Sequence, residues 1–365
     1  MTIEATPAAT RDRAPELDVL RFIAASMVVV FHYAYRPAIG GVVDTEVYGG
    51  LQNFAAYGYL GVQLFFMISG FVIVWSAAGR GAGKFVKLRF LRLYPMFWVG
   101  VAITALTVWL AGVRPEVHDL RVILANLTLV PAYFDAPLVD GVYWTLVIEL
   151  KFYLLIFLAI VLRQMPNLER WMYLWLAGSI AFTFWTVPLT SSMVMLPHGF
   201  YFVGGAICYF IRTSGFTPVR ALTLSLAVAG SAWHAAIMGR DNFSVDTRGA
   251  EPVVVAMLIV LFYVAMLSVA MRWVRLPQAR FWAMLGALTY PLYLLHNMVG
   301  RVILWELEPH IGPWGRLLIV SAIVYALAWV CARWIEPAVR DGIAALLDRL
   351  GNLRWRPAVS RRAGD

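Results

Sequence analysis

The chain has 365 residues, of which 61% are hydrophobic and 14% charged, with a mean hydropathy of +0.72 and a net charge of +9. Soluble domains run near 45–50% apolar and about 25% charged, so a soluble enzyme, a disordered chain and a coiled coil are excluded. The apolar runs are continuous over about 20 residues, the length of a membrane-spanning helix, and do not alternate as barrel strands do.

The polar start, MTIEATPAATRDRAPE, has no small-residue cleavage site after the first apolar run, so that run is expected to stay as a span. Hydropathy places about ten helices, at 17–36, 57–78, 94–112, 142–162, 171–188, 198–213, 221–238, 252–271, 281–304 and 315–335. The first carries Arg21 and His32, eleven residues and about three turns apart, hence on one face, with His32 about 16 Å beyond Arg21. Asp18 lies one turn before Arg21, where it can pair with it. Taken singly, Arg21 reads equally as a snorkelling anchor and His32 as a hydrogen-bonded packing residue. Before the third span comes KFVKLRFLRLYPMFW, residues 84–98. Arg89 and Arg92 share a face at i, i+3, and with Lys84 and Lys87 they make a phosphate grip. The run reads also as a plain positive-inside loop. Pro95 suits the first turn of the following helix.

Residues 122–134 are too short to span and read as a re-entrant or interfacial segment. The fourth span contains Thr145 and Glu149 at i, i+4, with Glu149 at a depth near that of His32, where a carboxylate would orient an imidazole; a structural ion pair is the alternative. Lys151 points elsewhere. In the ninth span Pro291 is expected to kink the helix, and His296 follows it as a further candidate or a packing histidine. His198 is a weaker candidate, and His118, His234 and His310 read as loop or interface residues. Cys208 and Cys331 lie in apolar runs, with neither a disulfide framework nor a metal-ligand spacing, so no metal is expected. A membrane domain over 1–337 is followed by a basic tail over 338–365, in which AVRDGIAALLDRL reads as an amphipathic surface anchor. With the N-terminus inside, the loops and tail divide 22 basic residues to 7 in favour of the inner side, placing both termini in the cytoplasm. The charge therefore reports membrane topology and not a nucleic-acid partner.

Several segments, in order along nearly the whole chain, resemble the acyltransferase-3 family of bacterial membrane O-acyltransferases. These are LRFIAASMVVVFH with Arg21 and His32, GVQLFFMISGF (61–71), Arg89 and Arg92 ahead of Tyr94–Pro95, WTLVIELKFYL (144–154), YPLYLLH (290–296) and IEP (335–337). Thr145 stands where the family has Ser, a mild change; Gln63 stands where it has Asp, and Leu150 and Lys151 where it has Glu-Gln, which removes from this chain any role of that Asp or second Glu. The resemblance is to the stand-alone, exopolysaccharide-modifying type. It implies an all-α bundle in the bacterial inner membrane that moves an acyl group, most simply acetyl, from acyl-coenzyme A to a saccharide or glycolipid hydroxyl, with no bound cofactor. It implies His32 and Glu149 as catalytic residues, Arg21, Arg89 and Arg92 as acyl-coenzyme A ligands, and Ser69, Thr145, Tyr153 and His296 as acceptor or supporting residues. The competing class, from the buried ionisable groups alone, is a proton-coupled exporter or glycolipid flippase.

Overall fold

Helix α1 (Pro15–Val30) runs through the middle of the bundle and is the element on which the others are arranged. The structure is a computed structural model that describes residues 14–35, 48–184, 196–238 and 250–354. The far end of the expected fifth span, and the loops around Asp44 and Asp246, lie outside the described residues. Every regular element among those described is helical. The helices after α1 are α2 (Gly50–Ala55), α3 (Gly61–Ala77), α4 (Ala82–Leu110), α5 (Leu120–Leu127), α6 (Trp144–Val161), α7 (Leu168–Phe184) and α8 (Leu196–Ser214). They continue with α9 (Pro218–Trp233), α10 (Pro252–Ala270), α11 (Arg280–Leu295), α12 (Met298–Leu307), α13 (Pro313–Val330) and α14 (Glu336–Arg354).

Pro15 at the first helical position and the acidic residues Glu16 and Asp18 in the first turn start α1 as helix N-termini favour. It packs between α3 and α11. A Cβ on Gly61 would lie 2.3 Å from the Ala24 carbonyl oxygen, so α1 and α3 meet backbone to backbone. On its other side α3 crosses α8 in the same way: a Cβ on Gly70 would lie 2.1 Å from the Phe202 oxygen, and one on Gly205 1.8 Å from that of Met67. Helix α8 in turn gathers α7, α9 and α10. The Tyr263 hydroxyl knits three of these helices, donating to the Phe200 carbonyl at 3.0 Å and sharing a 2.8 Å hydrogen bond with Ser231. Outside the apolar stretch, Arg220 forks onto both oxygens of Glu169 at 2.6 and 2.8 Å, and those hydrogen bonds hold the Glu169 carboxyl below its usual range.

Among the described residues, six helical stretches are long and apolar enough to cross a membrane: Pro15–Tyr35, Gly50–Ala77, Ala82–Leu110, Gly141–Val161, Pro252–Ala270 and Pro313–Leu350. Several leave their apolar side chains outward. The last has a hydropathy of 1.9 yet is only 22% buried, the signature of a face turned to lipid. The other expected spans correspond to α7, α8, α9 and α11–α12, which fall short of that length and apolarity among the described residues.

Four expected features take a specific form in the fold. Residues 84–94 are not a loop: α4 is one helix of 29 residues, with Pro95 in its interior. The Leu, Lys and Arg of that run are good helix formers, and Tyr290 donates to the Leu93 carbonyl at 2.8 Å beside the proline. Pro291 likewise stays inside α11, and the interruption comes at His296–Asn297. There the buried Asp140 carboxylate accepts from the Asn297 amide at 2.6 Å and the Met298 N–H at 2.9 Å, capping a new helix start. The expected boundary at residue 337 falls at the start of α14, which α13 enters through a π-helical turn, Cys331–Ile335. His234, finally, is buried in a π-helical turn and not in a loop. The segment 122–134 does fold back beside α4, with Trp98 donating to the Leu127 carbonyl at 3.0 Å and Tyr94 to that of Thr128 at 3.2 Å.

The α3–α8 crossing gives a direct test. Gly205→Ala must push a methyl group into backbone and is expected to destabilise the protein by about 3 kcal/mol or more. Gly178→Ala, on α7 with open space around it, is expected to be neutral or stabilising by about 0.5–1 kcal/mol. Thermal unfolding of the two detergent-purified variants reads the difference.

Candidate active site

Three helices, α1, α4 and α6, bring the polar residues of the sequence to one cavity, closed by α3 and α11. Its volume is about 190 Å³, and its walls include Arg21, Ser69, Arg89, Arg92, Thr145, Glu149 and Tyr153. Seven of the nine site residues expected from the sequence therefore meet here.

The arginines are held differently. Arg21 stands 3.6 Å from Asp18, whose carboxylate fits only because residue 286 is glycine: a Cβ there would lie 2.4 Å from Asp18 Oδ1. Arg92 lies over the Tyr290 ring at 5.0 Å and pairs with Glu336 at 3.5 Å. Arg89 lies over the Tyr153 ring at 5.6 Å, has no carboxylate partner among the described residues, and keeps its Nε buried without a hydrogen bond. All three also face a second, larger cavity of about 580 Å³ beside α14, so they stand between two spaces.

Glu149 is not hydrogen-bonded to His32, as its expected depth implied. Its Oε1 accepts from Tyr153 at 2.7 Å and from Ser69 at 3.4 Å, placing it at the level of the arginines. One turn back, Thr145 shares a 2.6 Å hydrogen bond with the Tyr293 hydroxyl, and both groups reach the Val142 carbonyl at 3.0 Å. Lys151 does point away, into an apolar groove between α4 and α6. Gln63 is not part of the cavity wall; with its amide turned to satisfy both ends, it donates to the Tyr59 and Leu60 carbonyls of the preceding turn.

His32 and His296 lie beyond the cavity lining and against each other, with ring centroids 5.1 Å apart. Tyr293 connects the two regions: it lines the cavity, and its ring lies 5.5 Å from that of His296. His32 sits in a π-helical turn, Phe31–Tyr35, of a kind often found at functional sites. His296 is fully buried. Its Nδ1 faces the Tyr293 carbonyl at 2.7 Å and that of Leu292 at 3.2 Å, so this nitrogen carries the proton. Nε2 is then left with its lone pair, buried and without a hydrogen-bond partner among the described residues. Tyr33 supports the same turn by donating to the His296 carbonyl at 2.8 Å. His198 packs against Phe66 and Trp144, outside this arrangement.

Sequence reasoning did not single out Tyr290, Tyr293, Glu336 or Asp140. The two tyrosines repeat at i, i+3 on the helix that carries His296, a signal that was available. Glu336 lay within the quoted IEP segment, but nothing local names Arg92 as its partner. Asp140 lies in a loop, and only the fold brings it to the α11–α12 break.

The family model described as an acyltransferase domain matches residues 15–333. The chain is similar to acyltransferase MdmB of Streptomyces mycarofaciens, 29% identical over 189 residues, which is 49% of this chain and 47% of that protein. It is also similar to the exopolysaccharide production protein ExoZ of Rhizobium meliloti (strain 1021), 30% identical over 264 residues, 67% of this chain and 78% of that protein. The chain thus spans about half the length of the first of these relatives. No solved structure gives a significant match. With a family match that takes in α1 through α13 and every arginine, carboxylate and histidine of the two adjoining regions except Glu336, this chain belongs to the acyltransferase-3 family of membrane acyltransferases.

Proposed function

We propose that this protein is an acyl-coenzyme A-dependent O-acyltransferase of the bacterial inner membrane, transferring an acetyl group to a hydroxyl of a saccharide or glycolipid, with exopolysaccharide the leading acceptor. The observation that carries the reading is the convergence of Arg21, Arg89 and Arg92 on one cavity that leads, through Tyr293, towards the His32–His296 pair. Coenzyme A is an anionic donor with a long thin arm. Guanidinium groups are suited to its phosphates, and Arg89 has no carboxylate partner among the described residues. The helical rise from Arg21 to His32 is about 16 Å, a length that the pantetheine arm can cover.

In this mechanism His32 takes the proton from the acceptor hydroxyl as its oxygen attacks the thioester carbonyl. When the tetrahedral intermediate collapses, the carbon–sulfur bond breaks and the imidazolium returns the proton to the departing thiolate, giving the ester and free coenzyme A. His296 packs behind His32 and presents a second unprotonated nitrogen to the same region. Glu149 serves the donor end: it holds Tyr153 and Ser69 and balances the arginine charge along the path of the arm. The exopolysaccharide-related name of one relative supports the acceptor class.

The basic-residue asymmetry supports about ten spans with both termini cytoplasmic, which puts the arginine end on the side where the donor is made. Reporter fusions after Arg163 and Asp365 are expected to read cytoplasmic, and fusions at Asp44 and Asp246 external; a cytoplasmic reading at Asp246 would break this topology from the seventh span onward. Arg89→Ala is expected to weaken acyl-coenzyme A binding by about tenfold to a hundredfold, with Arg89→Lys recovering part of it, as isothermal titration of the purified protein would read. His32→Gln is expected to cost at least about a hundredfold in turnover, with donor affinity and thermal stability retained. Normal turnover of a well-folded His32→Gln protein would pass the role of base to His296.

A further inference from the structure

Helix α14 lies beyond the family match, which ends at residue 333, and by sequence its amphipathic pattern reads as a surface anchor. Its first turns are placed for something else. The π-helical turn Cys331–Ile335 delivers Glu336 inward, where it is 8% exposed and pairs with Arg92. One turn further, Arg340 comes to the wall of the 580 Å³ cavity that Arg21, Arg89 and Arg92 line from the other side. Near the far end of α14, Asp348 pairs with Lys87 on α4, so the helix is held to α4 at two points about three turns apart.

The charges around this cavity do not cancel. Asp18 answers Arg21 at 3.6 Å, Glu336 answers Arg92 at 3.5 Å, and Asp341 answers Arg340 at 3.0 Å. Arg89 has no carboxylate partner among the described residues, and its buried Nε makes no hydrogen bond. A partly buried guanidinium left in that state calls for an anion from outside the chain. The pair that satisfies Arg340 is an exposed one between adjacent residues, which exchanges readily for a stronger phosphate contact.

We propose that α14 forms a wall of the donor phosphate site, with Arg340 as a phosphate-contacting residue that supplements Arg21, Arg89 and Arg92. The inference rests on the acyl-coenzyme A reading given above. The ligand chemistry is a phosphate carried on a molecule large enough to fill the cavity: the nucleotide end of coenzyme A, with a lipid phosphate headgroup as the competing source.

The test uses the full chain in phosphatidylcholine nanodiscs, with coenzyme A binding followed by isothermal titration. Arg340→Ala is expected to raise Kd about five- to tenfold, Arg340→Lys to recover part of the loss, and Arg340→Glu to weaken binding further. Arg349→Ala, exposed on the same helix but away from the cavity, is expected to bind as the unmodified protein does. Unchanged coenzyme A affinity in both Arg340→Ala and Arg340→Glu would overturn the proposal. So would an Arg340 dependence seen only for phosphatidic acid added to the nanodiscs, which would give the cavity to a lipid headgroup. If the unmodified protein itself binds no coenzyme A, the donor reading fails first and this inference falls with it, a result distinct from intact binding that ignores Arg340.

Discussion

Keeping guanidinium groups at the inner part of an apolar helical bundle is the constraint on which this structure depends. Removing a charge from water costs several kcal/mol unless partners replace the lost hydration. The bundle supplies them from all directions: Asp18 one turn from Arg21, tyrosine faces beneath Arg89 and Arg92, and Glu336 from the end of the chain. Gly286 exists as a glycine because the Asp18 carboxylate occupies the place of a side chain. Arg89 alone of the three has no carboxylate partner among the described residues, and its Nε is buried without a hydrogen bond.

The second theme is irregular helix where the chemistry is expected. Residues His32 and Glu336 lie in or directly after π-helical turns, and α11 stops at His296 with Asp140 capping the restart. Each irregularity rotates or frees a side chain that a regular helix would direct elsewhere. The surrounding packing is tight enough to sustain them. Backbone-to-backbone contacts at Gly61, Gly70 and Gly205 lock α1, α3 and α8 together, so the distortions at the site are held by a rigid frame.

The arrangement also separates two jobs along one path. The arginines, Glu149, Ser69 and Tyr153 form a charged, hydrogen-bonded region at one end. The histidine pair lies beyond Thr145 and Tyr293 among aromatic rings, His296 fully buried and His32 partly so. On the proposed reading, a donor held by its phosphates at the first region would present its reactive end near the second, the proximity that a long flexible substrate needs.

Much of this was legible in the residues themselves. Apolar run length dictates a helical membrane bundle, because lipid offers no partner for an open backbone. Eleven-residue spacing would put Arg21 and His32 on one face of a regular helix, and i, i+3 spacing pairs Arg89 with Arg92, because helical periodicity is a local property; the fold adds a π-helical turn at His32, which lies outside the cavity that Arg21 lines. Contacts between helices are not local, and they were decided only when the chain folded. Depth counted along α6 suggested Glu149 beside His32, but helix offsets set Glu149 among the arginines and gave His32 a second histidine as neighbour. Pro95 was expected in the first turn of a helix and Pro291 at a kink. Both stay within helices, and the break falls instead at His296, where a loop carboxylate more than 150 residues away in sequence competes for the backbone N–H groups. The tail reads as an amphipathic surface helix, and only the fold shows that the pairs Glu336–Arg92 and Asp348–Lys87 also tie it to α4. Sequence sets what each helix can present; the close glycine-mediated crossings set which groups it meets, since those depend on how rigid helices stack and not on any one of them.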